Sequence, residues 1–405
     1  MRLSLGTSST FILAGVATFL VTSSVYGDRS HPGVVTIELL VLLAAHALGY
    51  LRLWLSRELL LNLAFGGYMV LTLAWTDNIK LALNILPAIV NAIMVLIFFS
   101  ALVAYHDVRA LLTGMVAGYL VAAVLYTLTS GFPFAVPDDF SYNTIAGMYL
   151  SGLFITAVYG AYVGMTFLPL VAGAIFLVLI PMTTSIKTSL GTALGIAGAT
   201  LLYFRRSVKT VAAVVLAVTV LGAGVAYALS ANPGLTDRLR YGFERVSLGV
   251  AVLTNREGDS GHTGLGNRKA WEKEGLKGWA ATPVFGHGME AFRGEFGTTS
   301  HSTPIDLLYN SGLIGAGLFY GIFASIAWRL LRARNPLRRA VRARIAVCLI
   351  AYVFISLSGT IYYDPLVAIF IAVSTGLLAR TDRSAAVAHL GHAAVTRVDG
   401  PISSA

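Results

Sequence analysis

Three segments carry residue types suited to chemistry on a charged substrate. In TTSHSTPIDLLYNSGLIG (298–315) an imidazole, His301, stands just ahead of an apolar run. The spacing predicts a helix with Thr303 as N-cap, Pro304 at its first position and Asp306 three residues after the cap. The dipole and free N–H groups of such a helix start favour an anion nearby. An imidazole is the side chain that ordinarily titrates near neutrality, so a functional role is open to His301; the plainer role is to close a helix end.

In PMTTSIKTSLG (181–191) Lys187 is flanked by Thr183, Thr184, Ser185, Thr188 and Ser189. A cation among hydroxyl donors at membrane depth suits a phosphate, and a snorkelling lysine fits the same pattern. In GNRKAWEKEGLKGWA (266–280) Arg268, Trp271 and Gly275 fall on one helical face. The Arg268 guanidinium is either a second anion ligand or an ordinary surface charge.

Other ionisable groups point less directly to a site. His287 lies in a glycine-flanked turn, VFGHGMEAF; Asp138 and Asp139 form an acidic pair in a loop; Glu38 falls inside an apolar segment, where a partner or functional role is expected. No His or carboxylate stands at metal-ligand spacing from His301, so no metal is expected there.

Long apolar elements must position these groups. Of the 405 residues 56% are hydrophobic and 12% charged, which excludes an ordinary soluble domain and makes the bilayer the solvent. Apolar runs predict about 12 transmembrane helices near 8–26, 33–51, 57–75, 79–104, 108–130, 144–163, 165–181, 188–204, 208–229, 304–331, 343–362 and 365–380. The first is expected to be an uncleaved helix, because no small-x-small cleavage site follows it. In the short loops 17 basic residues fall on one side and 3 (Arg29, Lys80, Lys187) on the other. That bias predicts both termini in the cytoplasm. It also explains most of the +10 net charge as topology, so no nucleic-acid partner is expected.

The chain accordingly divides into helices over 1–229, an external loop over 230–303, helices over 304–380 and a tail, 381–405, expected to be disordered. The loop has nine basic and eight acidic residues, so an anion site within it must be local. Interfacial helices are expected at 235–250 and 266–280, with a glycine-rich linker between them. Gly191 with Gly195, and Gly317 with Gly321, have the small-x-x-x-small spacing of close helix crossings.

Taken together, TTSIKTSLGTALG, GNRKAWEKEG with TPVFGHGMEAF, and HSTPIDLLYNSGLIGAGLF resemble the O-antigen ligase and polymerase family of bacterial envelope glycosyltransferases. The match is diffuse over the first 180 residues and more specific in 181–320. Lys187 replaces an arginine usual in the family, keeping the charge but not the bidentate fork. Ser302 stands where asparagine is common, and Asn310 where an acidic residue often sits.

The resemblance implies an all-α polytopic protein of the bacterial inner membrane with a periplasmic active site. It implies inverting, metal-independent transfer of a glycan from undecaprenyl pyrophosphate to a sugar hydroxyl of the lipid A–core oligosaccharide, without a cofactor. His301 would be the base, and Lys187 and Arg268 the cations facing the pyrophosphate. One large outer loop favours ligase over polymerase. A lipid flippase or transporter is the alternative from another class, and it predicts broken helices and ionisable pairs near mid-membrane.

Overall fold

The computed structural model describes residues 6–26, 40, 44, 55–130, 142–194, 265–332 and 339–380, apart from positions 165, 184, 186 and 358. Among these residues every regular element is helical. In order they are α1 (Thr7–Tyr26), α2 (Arg57–Leu71), α3 (Ile79–Tyr105), α4 (Val108–Ser130), α5 (Tyr142–Val163) and α6 (Phe167–Met182). Next come α7 (187–194), α8 (Leu265–Ala281), α9 (Ala291–Phe296), α10 (Thr303–Arg332), α11 (Arg339–Ser356) and α12 (Pro365–Arg380).

Four of them are long and apolar enough to cross a membrane: Ile79–Tyr105, Val108–Thr129, Thr144–Val163 and Thr303–Arg332. Shorter apolar helices run over Thr7–Ser23, Phe167–Ile180 and Pro365–Arg380. The chain is therefore a helical membrane protein. The expected span at 33–51 apart from residues 40 and 44, the end of that at 188–204 from residue 195 on, the span at 208–229, the helix at 235–250, Glu38, Asp138, Asp139 and the tail 381–405 lie outside the described residues.

Without a hydrophobic drive between helices in lipid, close backbone approach and van der Waals contact hold them together. The tightest crossing joins α1 to α4. A Cβ on Gly114 would lie 2.3 Å from the Phe11 carbonyl oxygen, and one on Gly118 2.5 Å from that of Gly15. Neither glycine pair expected from the sequence makes such a crossing. Gly191 packs on Ile355 of α11, but Gly195 lies outside the described residues, Gly317 faces open space and Gly321 only grazes Leu61.

The centre of the bundle is α12. Every residue from Leu366 to Ala379 is buried, as expected of a helix apolar all round. Phe370 packs between Phe154 of α5 (ring centroids 5.0 Å apart) and Tyr352 of α11 (4.8 Å). Asp364 and Pro365 start the helix: the Leu366 N–H donates to Asp364 Oδ1 at 2.8 Å, with proline in the first turn. At the other end the Arg380 guanidinium donates to the His106 carbonyl, which closes α3.

Two sequence expectations are corrected where the site lies. The apolar run 343–362 is not one span, since α11 ends at Ser356 and residues 359–364 form a loop leading to the Asp-Pro start of α12. The run 304–331 is helical but broken at Gly312, with φ 62° and ψ −164°. A break within a membrane helix frees backbone groups that must find partners in the protein. A strap, 283–288, supplies them. Leu313 and Ile314 N–H donate to the Pro283 and Val284 carbonyls (2.9 and 3.3 Å), and His287 and Gly288 N–H donate to the Tyr309 and Asn310 carbonyls (2.9 and 2.8 Å). A Cβ at Gly312 would lie 2.2 Å from the Val284 oxygen, so only glycine admits the strap.

Candidate functional site

The Asp306 N–H donates to the Ser302 carbonyl at 2.9 Å, which makes Ser302 the cap of α10 and Thr303 its first residue, one position earlier than the spacing predicts. Thr303 instead ties the helix start to a distant loop. Its buried hydroxyl donates to the Gly359 carbonyl at 2.6 Å and accepts the Ile361 N–H at 2.9 Å. Asp306 reaches beyond the cap to accept the Ser300 N–H at 2.9 Å, and its second oxygen accepts the Thr360 hydroxyl at 2.8 Å.

His301, between Ser300 and Ser302, has φ 59°, a left-handed conformation unusual for a residue with a Cβ. Such a residue stores on the order of 1–3 kcal/mol and persists where its surroundings over-determine it. Here the Ser300 hydroxyl donates to the Ser302 carbonyl at 2.8 Å, and the Ser302 N–H donates back to that hydroxyl at 3.1 Å. The half-buried imidazole faces Trp271 of α8, ring centroids 5.7 Å apart.

α8 is held against the first half of α10 by two glycines. A Cβ on Gly275 would lie 2.5 Å from Ile305 Cγ2, and one on Gly278 2.3 Å from Tyr309 Cε2. The face predicted to carry Arg268, Trp271 and Gly275 thus turns toward α10 at Trp271 and Gly275. Arg268 lies one turn before Trp271 on α8, with its side chain outside the described residues.

Lys187 begins α7, where the Ser189 N–H donates to the Ser185 carbonyl at 3.0 Å. Its neighbouring hydroxyls are used more locally than the spacing implies. Thr183 Oγ1 donates to the Ile180 carbonyl at 2.6 Å, and the Ser185 and Thr188 hydroxyls pair at 3.0 Å, all buried. The ammonium lies against Gly359, whose missing side chain makes room: a Cβ there would lie 2.2 Å from Lys187 Nζ. Gly359 also receives Thr303, so two successive contacts join Lys187 to the turn that holds His301.

The loop 359–364 is the part of the site that sequence reasoning missed, because it reads as the end of a span. Tyr362 is buried beside the Glu290 and Asp306 carboxylates, with the Asn310 amide against its hydroxyl. The Asn310 carbonyl oxygen of the side chain accepts the Phe292 N–H at 2.8 Å, fixing α9 to α10. Burial pushes the Asp364 carboxyl up to about 6, opposed by the Leu366 N–H and the positive charge of Lys187. The signal for Asp364 was present in the sequence as Asp-Pro ahead of an apolar run.

His287 proves to be tied into the framework: Nε2–H donates to the Gly278 carbonyl at 3.0 Å and the ring stacks on Tyr309 at 4.5 Å. Among the described residues no three His, Cys, Asp or Glu side chains form a metal-binding group. The arrangement offers a half-buried imidazole, the Lys187 ammonium and a Trp271 wall, joined at 359–361 by the Thr303 hydrogen bonds and by the contact of Lys187 with Gly359. No family model matches the chain, and no curated protein matches it.

Proposed function

We propose that the chain is an O-antigen ligase, which transfers a glycan from undecaprenyl pyrophosphate to a sugar hydroxyl of lipid A–core at the periplasmic face of the inner membrane. The observation that carries the reading is the joint between His301 and Lys187. An imidazole in a constrained turn and a lysine ammonium are attached to the same loop, 359–361, at one end of a bundle with membrane-spanning helices. A base and a cation at fixed separation are what glycosyl transfer from a pyrophosphate requires.

In this reaction His301 takes the proton of the acceptor hydroxyl as its oxygen attacks the anomeric carbon. A glycosidic bond forms, the bond from that carbon to the phosphate oxygen breaks, and undecaprenyl pyrophosphate leaves with the electron pair. Lys187 and Arg268 face the growing charge on the leaving group. Trp271 offers an apolar face for a sugar ring. The polymerase reading differs only in the acceptor, a second lipid-linked glycan.

A broken α10 is also what a transporter or flippase would use, and that observation keeps the second reading. Against it, the groups freed at Gly312 are bonded to the strap 283–288, which leaves them closed to a passing substrate.

The test is transfer from purified undecaprenyl-pyrophosphate glycan to purified lipid A–core in the presence of EDTA, comparing native protein with His301→Ala. The reading expects transfer by the native protein and none by the folded variant. Chain growth on the donor alone indicates polymerase. Equal transfer by both proteins removes His301 from the mechanism, and absence of either reaction in the native protein ends the transferase reading.

A further inference from the structure

We propose that Asp306 is the positioning residue for His301, locking the turn that carries the imidazole to the loop against which Lys187 rests. Its consequence for catalysis rests on the transferase reading; its geometry does not.

A carboxylate 1% exposed must have partners for both oxygens. Asp306 has one on each, and the two belong to different elements. Oδ1 accepts the N–H of Ser300, the residue immediately before His301. Oδ2 accepts the hydroxyl of Thr360, the residue immediately after Gly359. Thr303 makes a parallel bridge from the same helix start, bonding Gly359 and Ile361. Asp306 is thus the side chain that reaches both the turn and the loop, and Thr303 alone touches only the loop.

The left-handed His301 needs fixed neighbours to hold its φ. Ser300 and Ser302 bracket it through two mutual hydrogen bonds, and Asp306 anchors that bracket to α10. Removing the anchor leaves the bracket intact but free to turn, so the ring moves relative to Trp271 and Lys187 while the helices stay in place.

Neither bond requires a negative charge. An asparagine at 306 can accept the Ser300 N–H through its oxygen and donate an N–H to the Thr360 hydroxyl, which rotates to accept it. Positioning therefore expects asparagine to serve and alanine to fail, whereas action through charge expects both to fail.

The experiment uses the full-length protein in lipid nanodiscs as native, Asp306→Ala, Asp306→Asn and Thr360→Val forms. Two readouts are taken: the rate at which diethyl pyrocarbonate modifies His301, resolved by peptide mass spectrometry, and transfer kinetics. Asp306→Ala is expected to speed modification of His301 and lower kcat by about tenfold or more, as displacement of a catalytic group implies. Donor KM should stay within about twofold, because the pyrophosphate ligands are untouched. Asp306→Asn should stay within about threefold of native in both readouts, with Thr360→Val between the two.

Native His301 reactivity and native kcat per folded molecule in Asp306→Ala overturn the proposal, even if its thermal midpoint falls. So does an asparagine variant as defective as the alanine one. Should Asp306→Ala fail to fold, Thr360→Val removes one bridge from the loop side, and native His301 reactivity there is equally fatal. If the native protein transfers no glycan, the transferase reading falls on its own, while the modification rates still decide the role of Asp306.

Discussion

Beside Lys187 stands a carboxyl that changes what the cation can bind. Asp364 is raised from 3.8 to about 6 by burial, so near neutral pH it is mostly ionised and opposes an incoming pyrophosphate. The groups facing it are Lys187 from α7, Tyr119 from α4 and Tyr352 from α11, and a phenol carries no charge in that range. A raised carboxyl favours the fold in its neutral form. Its stabilisation is therefore complete below 3.8 and is lost as pH rises through about 6. Asp364→Asn is neutral at every pH and is as good an N-cap. It should abolish this part of the fall in thermal midpoint between about pH 4 and pH 7, and flatten the rise in donor KM over the same range. A native-like pH dependence of KM in the variant would separate Asp364 from the anion site. Residue type and spacing marked His301 and Lys187 as candidates in the sequence. The pairing of Asp364 with Lys187 and the double role of Asp306 were not legible, because they join residues distant along the chain, and spacing carries no information about such pairs.

Some helix limits were legible almost to the residue, since hydropathy and capping are local: the runs expected at 79–104, 108–130 and 365–380 are α3, α4 and α12, whereas α11, Arg339–Ser356, is displaced from the run expected at 343–362. Breaks and crossings were not. The Gly-Leu-Ile-Gly of 312–315 has the look of helix packing, and what opens α10 there is the strap 283–288, made by a different part of the chain. Gly312 and Gly317 therefore have opposite expectations although both lie in one apolar helix. Gly312→Ala places a Cβ 2.2 Å from a carbonyl oxygen in a backbone conformation that is essentially glycine-only, and should lose about 2–4 kcal/mol. Its mark is faster amide exchange across 283–288. Gly317→Ala meets nothing within 4 Å and should be neutral or gain up to about 1 kcal/mol from helix propensity. Equal stability of the two variants, with the strap still protected, would mean that α10 does not need its break.

The whole molecule is polar in the sense that its two ends differ. At one end the fully buried Glu58 of α2 accepts the Ser325 hydroxyl at 2.8 Å and pairs with Arg329 of α10 at 3.3 Å, next to the arginine-rich end of that helix. At the other end α8, α9 and the strap gather around His301. The 30 residues of α10, broken at Gly312, run between these two ends. Charge bias predicts the arginine end in the cytoplasm and His301 outside, the side that the proposed ligase reaction requires. Cys348 is the one cysteine, so Cys348→Ala gives a background for single-cysteine labelling. In that background Lys277→Cys, on α8 with a side chain 79% exposed, should react with a membrane-impermeant maleimide in intact spheroplasts. Leu331→Cys, 82% exposed at the far end of α10, should react only after lysis. The reversed pattern would put the imidazole on the cytoplasmic side, away from any periplasmic acceptor, and the ligase reading would fail even with every distance at the site unchanged.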